Sequence, residues 1–188
     1  VTQKLQAEYE RFQALWEHLH AVYGCPVIQN NFEPPLYRLL GNRDASDHRG
    51  RWNYIQRLNQ MFYEYADTHQ DFYIHDICYE AADYGLERWS DPFYWNMYKY
   101  AMCVPAIPYT AFQLARIIKS IFGRNKKVLN LDLDNTLWGG VIGDDGPENI
   151  EIGQETSLGQ TYAEFQDYLK QHKKLGVLLS VNSKNNEE

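Results

Sequence analysis

Three cysteines in 188 residues, Cys25, Cys78 and Cys103, stand far apart and form no C-x-x-C pair. That scarcity argues against a disulfide-stapled secreted scaffold and points to a reduced, cytoplasmic setting. Long apolar runs are missing too. No stretch approaches the length of a membrane span, and no charged-then-apolar segment opens the chain as a secretory signal would. Basic residues are in deficit, 18 Lys and Arg against 25 Asp and Glu for a formal charge of −7. A nucleic-acid partner calls for a basic face instead. No internal repeat or low-complexity tract occurs. The first residue is Val1 rather than Met and the last four, Asn185 to Glu188, are polar, so a fragment of a longer protein is expected.

What is present is an ordinary globular balance, 44% hydrophobic and 23% charged, in a chain that suits one large domain or two small ones. From Thr2 to Val22 apolar residues recur at three- and four-residue steps (Leu5, Tyr9, Phe12, Leu15, Trp16, Leu19, Val22), the pattern of an amphipathic helix that Gly24 ends. Pro26 to Asn30 reads as a short strand. Residues 31–50, with Pro34-Pro35 and Gly41-Asn42, read as loop. A second helix carries Trp52, Ile55, Leu58, Met61, Phe62 and Tyr65 on one face, and Asp71 to Ile77 reads as a strand.

Aromatic residues crowd the segment from Tyr79 to Tyr100, including Trp89, Phe93, Tyr94, Trp95 and Tyr98. Packing in a core or between domains is the expectation there, with a ligand platform as the alternative. Ala111 to Phe122 reads as a helix with Phe112, Leu114, Ala115, Ile118 and Ile121 inward. A helix capped by Thr156 or Ser157 runs to about Lys174, and Gly176 to Val181 reads as the last strand. Helices alternating with strands indicate an α/β fold with a largely parallel sheet, or two such sheets.

The chain is organised around residues 126–140. Val128, Leu129, Leu131 and Leu133 form the nearly continuous apolar run of a strand expected to be covered on both faces. Asp132 and Asp134 follow two residues apart, so in extended chain they share a face. Two carboxylates at the mouth of a buried strand repel each other and need a cation, a proton or a strong donor. The carboxyl ends of parallel strands are also where open α/β sheets place ligands. Metal-assisted phosphoryl chemistry fits both facts.

Asp132-Leu133-Asp134-Asn135-Thr136-Leu137-Trp138-Gly139-Gly140-Val141-Ile142-Gly143 resembles motif I of the haloacid-dehalogenase (HAD) phosphatases, and most of all the FkbH-like branch of subfamily IIIC. The resemblance implies Asp132 as nucleophile, forming an aspartyl-phosphate, and Asp134 as general acid/base. It implies Mg²⁺ held by the Asp132 carboxylate and the backbone carbonyl of Asp134. Val181 to Asn185 is similar to motif II, which implies phosphate contacts from Ser183 and Lys184, joined by the Leu133 and Asn135 amides. The glycines after Trp138 would form a flap. From Leu137 to Gly176 there is room for that flap and one helix, so an open site is expected. FkbH-like proteins act on a phosphorylated three-carbon acid and load a glyceryl group onto an acyl carrier protein, which would be the partner.

Residues 1–122 resemble, more weakly, the SGNH-hydrolase-like lobe that precedes such domains, through Trp89-Ser90-Asp91-Pro92-Phe93-Tyr94-Trp95. The expected fold is thus an SGNH-like three-layer lobe, residues 1–122, followed by the N-terminal half of a HAD-type Rossmannoid parallel sheet, residues 126–188. Tyr94 stands where an active SGNH enzyme would need His, which counts against esterase activity. Two alternatives accompany the phosphatase reading: a non-catalytic interaction module, and an SGNH-type esterase. His18 and His20 diverge on their helix, and His75 lies beside no motif-placed nucleophile, so both are read as ordinary histidines.

Overall fold

The computed structural model describes residues 2–184. The chain divides into two compact units, Val1–Ile121 and Phe122–Glu188. The first begins with helix α1, Thr2–Tyr23, followed by strand β1, Val27–Asn30, and a 3-10 turn at Gly41–Ala45. Helix α2, Arg51–Thr68, leads to strand β2, Phe72–His75. Then come α3, Ile77–Tyr84, α4, Leu86–Trp89, α5, Pro92–Tyr98, and α6, Ala106–Ile121. The second unit holds β3, Val128–Leu131, α7, Ile142–Asp145, α8, Ser157–Lys174, and β4, Leu178–Val181. Among the described residues the strands form two separate parallel pairs, β1 with β2 and β3 with β4.

In the first unit α1 and α2 pack over the β1–β2 pair. The stripe Leu5, Tyr9, Phe12 and Trp16 follows the 3.6-residue period and meets Leu58, Phe62, Tyr65 and Phe72. Leu15 and Val22 lie roughly 80–100° round the helix from that stripe. They are accordingly exposed, unlike the expectation that placed them inward. Trp16 is the centre, with ring centroids of Phe72, Tyr65 and Phe62 at 4.6, 4.8 and 5.0 Å. Its indole N–H is answered by Gln29 Oε1 at 2.7 Å, as a buried Trp requires. A second cluster joins Ile77, Ala81, Trp89, Cys103 and Ala106.

Three sequence readings change. Helix α6 begins at Ala106, five residues early, because Pro108 falls in the first turn, where a missing N–H costs nothing. It packs through Ala106 and Tyr109, while Phe112 and Ile118, expected inward, are exposed. Trp89 alone of the aromatic segment is fully buried; Phe93, Trp95, Tyr98 and Tyr100 are exposed, so α5 is not a core helix. And β3 is not covered on both faces: only Leu131 is buried, with Val128 at 53% exposure. The apolar run has the composition of a two-sided strand, but the helix of the second unit that packs on the pair, α8, meets it through β4. No helix among the described residues is long and apolar enough to cross a membrane.

Candidate phosphoryl site

β3 and β4 run parallel with Leu131 opposite Val181, so Asp132 and Asn182 stand just past the same end of the pair. The Asn182 amide donates to the Leu131 carbonyl at 2.8 Å, which carries the pairing one step into the loops. The two segments singled out in the sequence therefore leave the sheet at its carboxyl end, where a parallel pair offers its free loops.

After Leu131 the chain turns at once. The Leu133 carbonyl accepts the Thr136 amide at 3.1 Å and the Leu137 amide at 2.8 Å. Asn135 takes φ 52°, the left-handed region that Asn tolerates better than most residues. Its side-chain Oδ1 accepts the Gly140 amide at 3.0 Å and its own amide donates to the Gly140 carbonyl at 3.2 Å. Gly140, at φ 101°, closes this reciprocal pair and turns the chain where a Cβ would be strained. Thr136 lies within the turn through its backbone amide.

Asp132 is exposed, and its Oδ1 accepts the Leu133 amide at 2.9 Å. Its other oxygen has no protein partner among the described residues. Asp134 is half-buried and fixed from the opposite side: its Oδ1 accepts the Trp138 indole N–H and the Ile142 amide, each at 3.1 Å. The two carboxylates are unequal in setting, one open and one oriented. Leu133 is half-buried and Asn135 exposed; beyond β4, Ser183 is half-buried and Lys184 exposed.

Over this turn lies a short flap. Gly139 and Glu151 exchange amide–carbonyl bonds at 2.8 and 2.9 Å, forming an isolated antiparallel bridge. Asp145 Oδ2 accepts the Val141 amide at 2.8 Å, which ties this carboxylate into the flap. Thr156 caps α8, accepting the Gly159 amide at 2.9 Å, and Gln166 of α8 donates to the Leu137 carbonyl at 2.7 Å. Sequence reasoning missed the Trp138, Ile142 and Gln166 contacts. Trp138 was visible as part of the motif, but its indole could not be aimed at Asp134 before the turn was known.

The donor set is hard oxygen: one open carboxylate and the carbonyls of a turn. No cluster of three His, Cys, Asp or Glu side chains able to cage a metal exists among the described residues. Such a set suits an ion that takes few protein oxygens and keeps its waters.

The fold is similar to a crystal structure of the N-terminal part of the protein BF1531 from Bacteroides fragilis, containing a phosphatase domain and complexed with Mg. The TM-score is 0.83 at 29% identity, over 100% of this chain and 50% of that one. This chain thus spans half of that neighbour's length. No protein-family model matches the sequence, and no curated protein matches it.

Proposed function

We propose that the chain carries the aspartate site of a magnesium-dependent phosphatase of the HAD type. The observation that carries this reading is the unequal pair of carboxylates, Asp132 open and Asp134 oriented, at the carboxyl end of β3 beside the loop that follows β4. The similarity to a phosphatase-containing part crystallised with Mg supports it.

In this reading an Asp132 oxygen attacks the phosphorus of a phosphomonoester, and the bond from phosphorus to the leaving oxygen breaks. Asp134 gives its proton to that oxygen, and the product alcohol departs from an aspartyl-phosphate. Asp134 then takes a proton from the water that attacks the acyl phosphate, which returns Asp132 and releases phosphate. The bonds from Trp138 and Ile142 keep Asp134 aimed through both steps. The Ser183 hydroxyl and the Lys184 amide would hold the phosphoryl oxygens, whereas the Leu133 and Asn135 amides, expected to join them, donate to Asp132 Oδ1 and to the Gly140 carbonyl. Mg²⁺, on the Asp132 carboxylate and the Asp134 carbonyl, would offset charge on the transferred group.

The finer reading is FkbH-like: a phosphorylated small acid as substrate, with the glyceryl group passed to the thiol of an acyl carrier protein. It rests on the likeness of residues 132–143. A compartment in the cytoplasm agrees with the free thiols of Cys25, Cys78 and Cys103. The SGNH-type assignment of the first unit gains no esterase from the geometry. Ser90 faces a cleft without a histidine in its lining, and His75 is sealed off at 2% exposure.

The test is phosphate release from p-nitrophenyl phosphate with and without Mg²⁺, in the unaltered protein and in Asp132→Asn. Mg²⁺-dependent release that vanishes in the variant is the expected result. Release that Asp132→Asn leaves unchanged, or none at all, would move the weight to a binding module. For the transferase version, a carrier protein must acquire a glyceryl thioester.

A further inference from the structure

The first unit contains a cleft of about 570 Å³, and nothing in the phosphoryl chemistry uses it. It opens beside the segment that follows β1, again at the carboxyl end of a parallel pair. Its walls are aromatic and proline-rich: Phe32, Pro34, Tyr54, Pro92, Trp95 and Tyr100. Two of those rings remain open to solvent, Trp95 at 53% and Tyr100 at 45% exposure. Exposed aromatic surface gathered around a concavity is the usual mark of a ligand site rather than of unfinished packing.

The charged groups lining the cleft decide what it would hold. There are four, Glu8, Glu33, Arg51 and Asp91, three of them acids. Glu8 is paired with Arg11 at 2.6 Å. Asp91 is committed to capping α5, accepting the Phe93 and Tyr94 amides at 3.0 and 3.3 Å. Arg51 lies in the field of Asp44. Glu33 has no ion pair among the described residues. Burial pushes its carboxyl above the ordinary value, an effect that its own amide and the Trp89 indole oppose. The Trp89 N–H points toward it without closing a hydrogen bond of ordinary geometry. A half-buried carboxylate with no cation to answer it is an unmet charge, and aromatic faces are what stabilise a desolvated cation. Trp95 already accepts one: the Lys99 ammonium stands 5.5 Å from its ring centroid.

We propose that this cleft binds a small organic monocation, an alkyl- or arylammonium, with its charge at Glu33 and its apolar body against Tyr54 and Trp95. The site is independent of the phosphoryl chemistry. A cationic ligand answers Glu33, and the acids of the lining outnumber Arg51, which is exposed and has Asp44 in its field. An anionic ligand of the same shape would face three carboxylates and one guanidinium.

The experiment is a calorimetric titration of the unaltered protein with three ligands of matched shape: phenethylammonium, 2-phenylethanol and phenylacetate. Saturable binding of the ammonium is expected, about tenfold or more tighter than the alcohol, with phenylacetate weakest. In Glu33→Gln the preference of ammonium over alcohol should collapse toward unity. Trp95→Leu should weaken both. Equal binding of ammonium and alcohol, tighter binding of phenylacetate, or no saturation by the ammonium up to about 10 mM would overturn the proposal. The comparison of the three ligands on the unaltered protein keeps the test decisive even if a variant fails to fold.

Discussion

Asp134 and Trp138, four residues apart, are joined side chain to side chain: the indole N–H donates to the Asp134 carboxylate at 3.1 Å. The bond spans a turn rather than a helix, and the Ile142 amide reaches the same oxygen. The carboxylate proposed as the general acid is thereby fixed in direction by two donors on one oxygen.

Trp138→Phe keeps the ring's bulk and removes that donor. A hydrogen bond of this kind contributes about 0.5–1.5 kcal/mol net. With the Ile142 amide still in place, a fall in kcat of roughly tenfold with KM little changed is expected. Steady-state kinetics on p-nitrophenyl phosphate check this; an altered KM at constant kcat would assign Trp138 to substrate binding instead.

Gly140→Ala strains a residue at φ 101° and places a Cβ 3.0 Å from Asp145 Oδ2, which holds the Val141 amide. Destabilisation of about 1–2 kcal/mol is expected, read as a lowered urea midpoint. The same turn presents Asp134, so phosphate release should fall with it. Full activity at lowered stability would separate flap from site.

Asn31→Ala removes the hub of a buried network in the first unit. Asn31 Nδ2 donates to Tyr63 Oη at 2.7 Å and Asp76 Oδ1 at 2.6 Å, and its Oδ1 accepts the Cys78 amide at 2.9 Å. Three hydrogen bonds would be lost at a site only 2% exposed, with Asp76 Oδ1 keeping the Tyr79 amide, for a loss of about 2–4 kcal/mol in thermal or urea unfolding. Retention of wild-type stability would show that water replaces the amide.

Asp44 links stability to pH. Its carboxylate is shut from solvent and accepts the Trp52 amide at 2.7 Å and the Leu40 amide at 3.2 Å. The Trp52 amide above all holds its carboxyl below the ordinary value, against the desolvation that raises it. A depressed folded-state value means the contribution is complete above the unfolded carboxylate pKa of about 3.9 and is lost as pH falls through the folded value. The stability gap between wild type and Asp44→Asn should therefore be constant from neutral pH to about 4 and shrink below it. A gap that instead widens on acidification would reverse the assignment.

The periodic elements were legible from residues alone. The stripe Leu5-Tyr9-Phe12-Trp16 and the cap at Thr156 are local, and local chemistry writes them into the chain; Asp76, read as part of a strand, instead caps α3, and the motif strand stops at Leu131 rather than running through Leu133. Asp132, Asp134 and Ser183 were legible as candidates for the same reason: their spacing around a strand end is a sequence property. What the chain in one dimension could not express was partnership across distance. His75 reads as an ordinary histidine, yet it is buried with Nε2 2.6 Å from Glu80 Oε1 and Nδ1 3.0 Å from Asn30 Oδ1, because β1 and β2 pair in register and bring residues 45 apart together. Trp95 reads as packed in a core or between domains, since apolar area favours burial; the packing of α3, α4 and α6 around Trp89 left α5 outside that cluster, with Trp95 lining a cleft. Residue type determines what a side chain gains from burial or pairing, and the tertiary fold determines which side chains find a partner within reach.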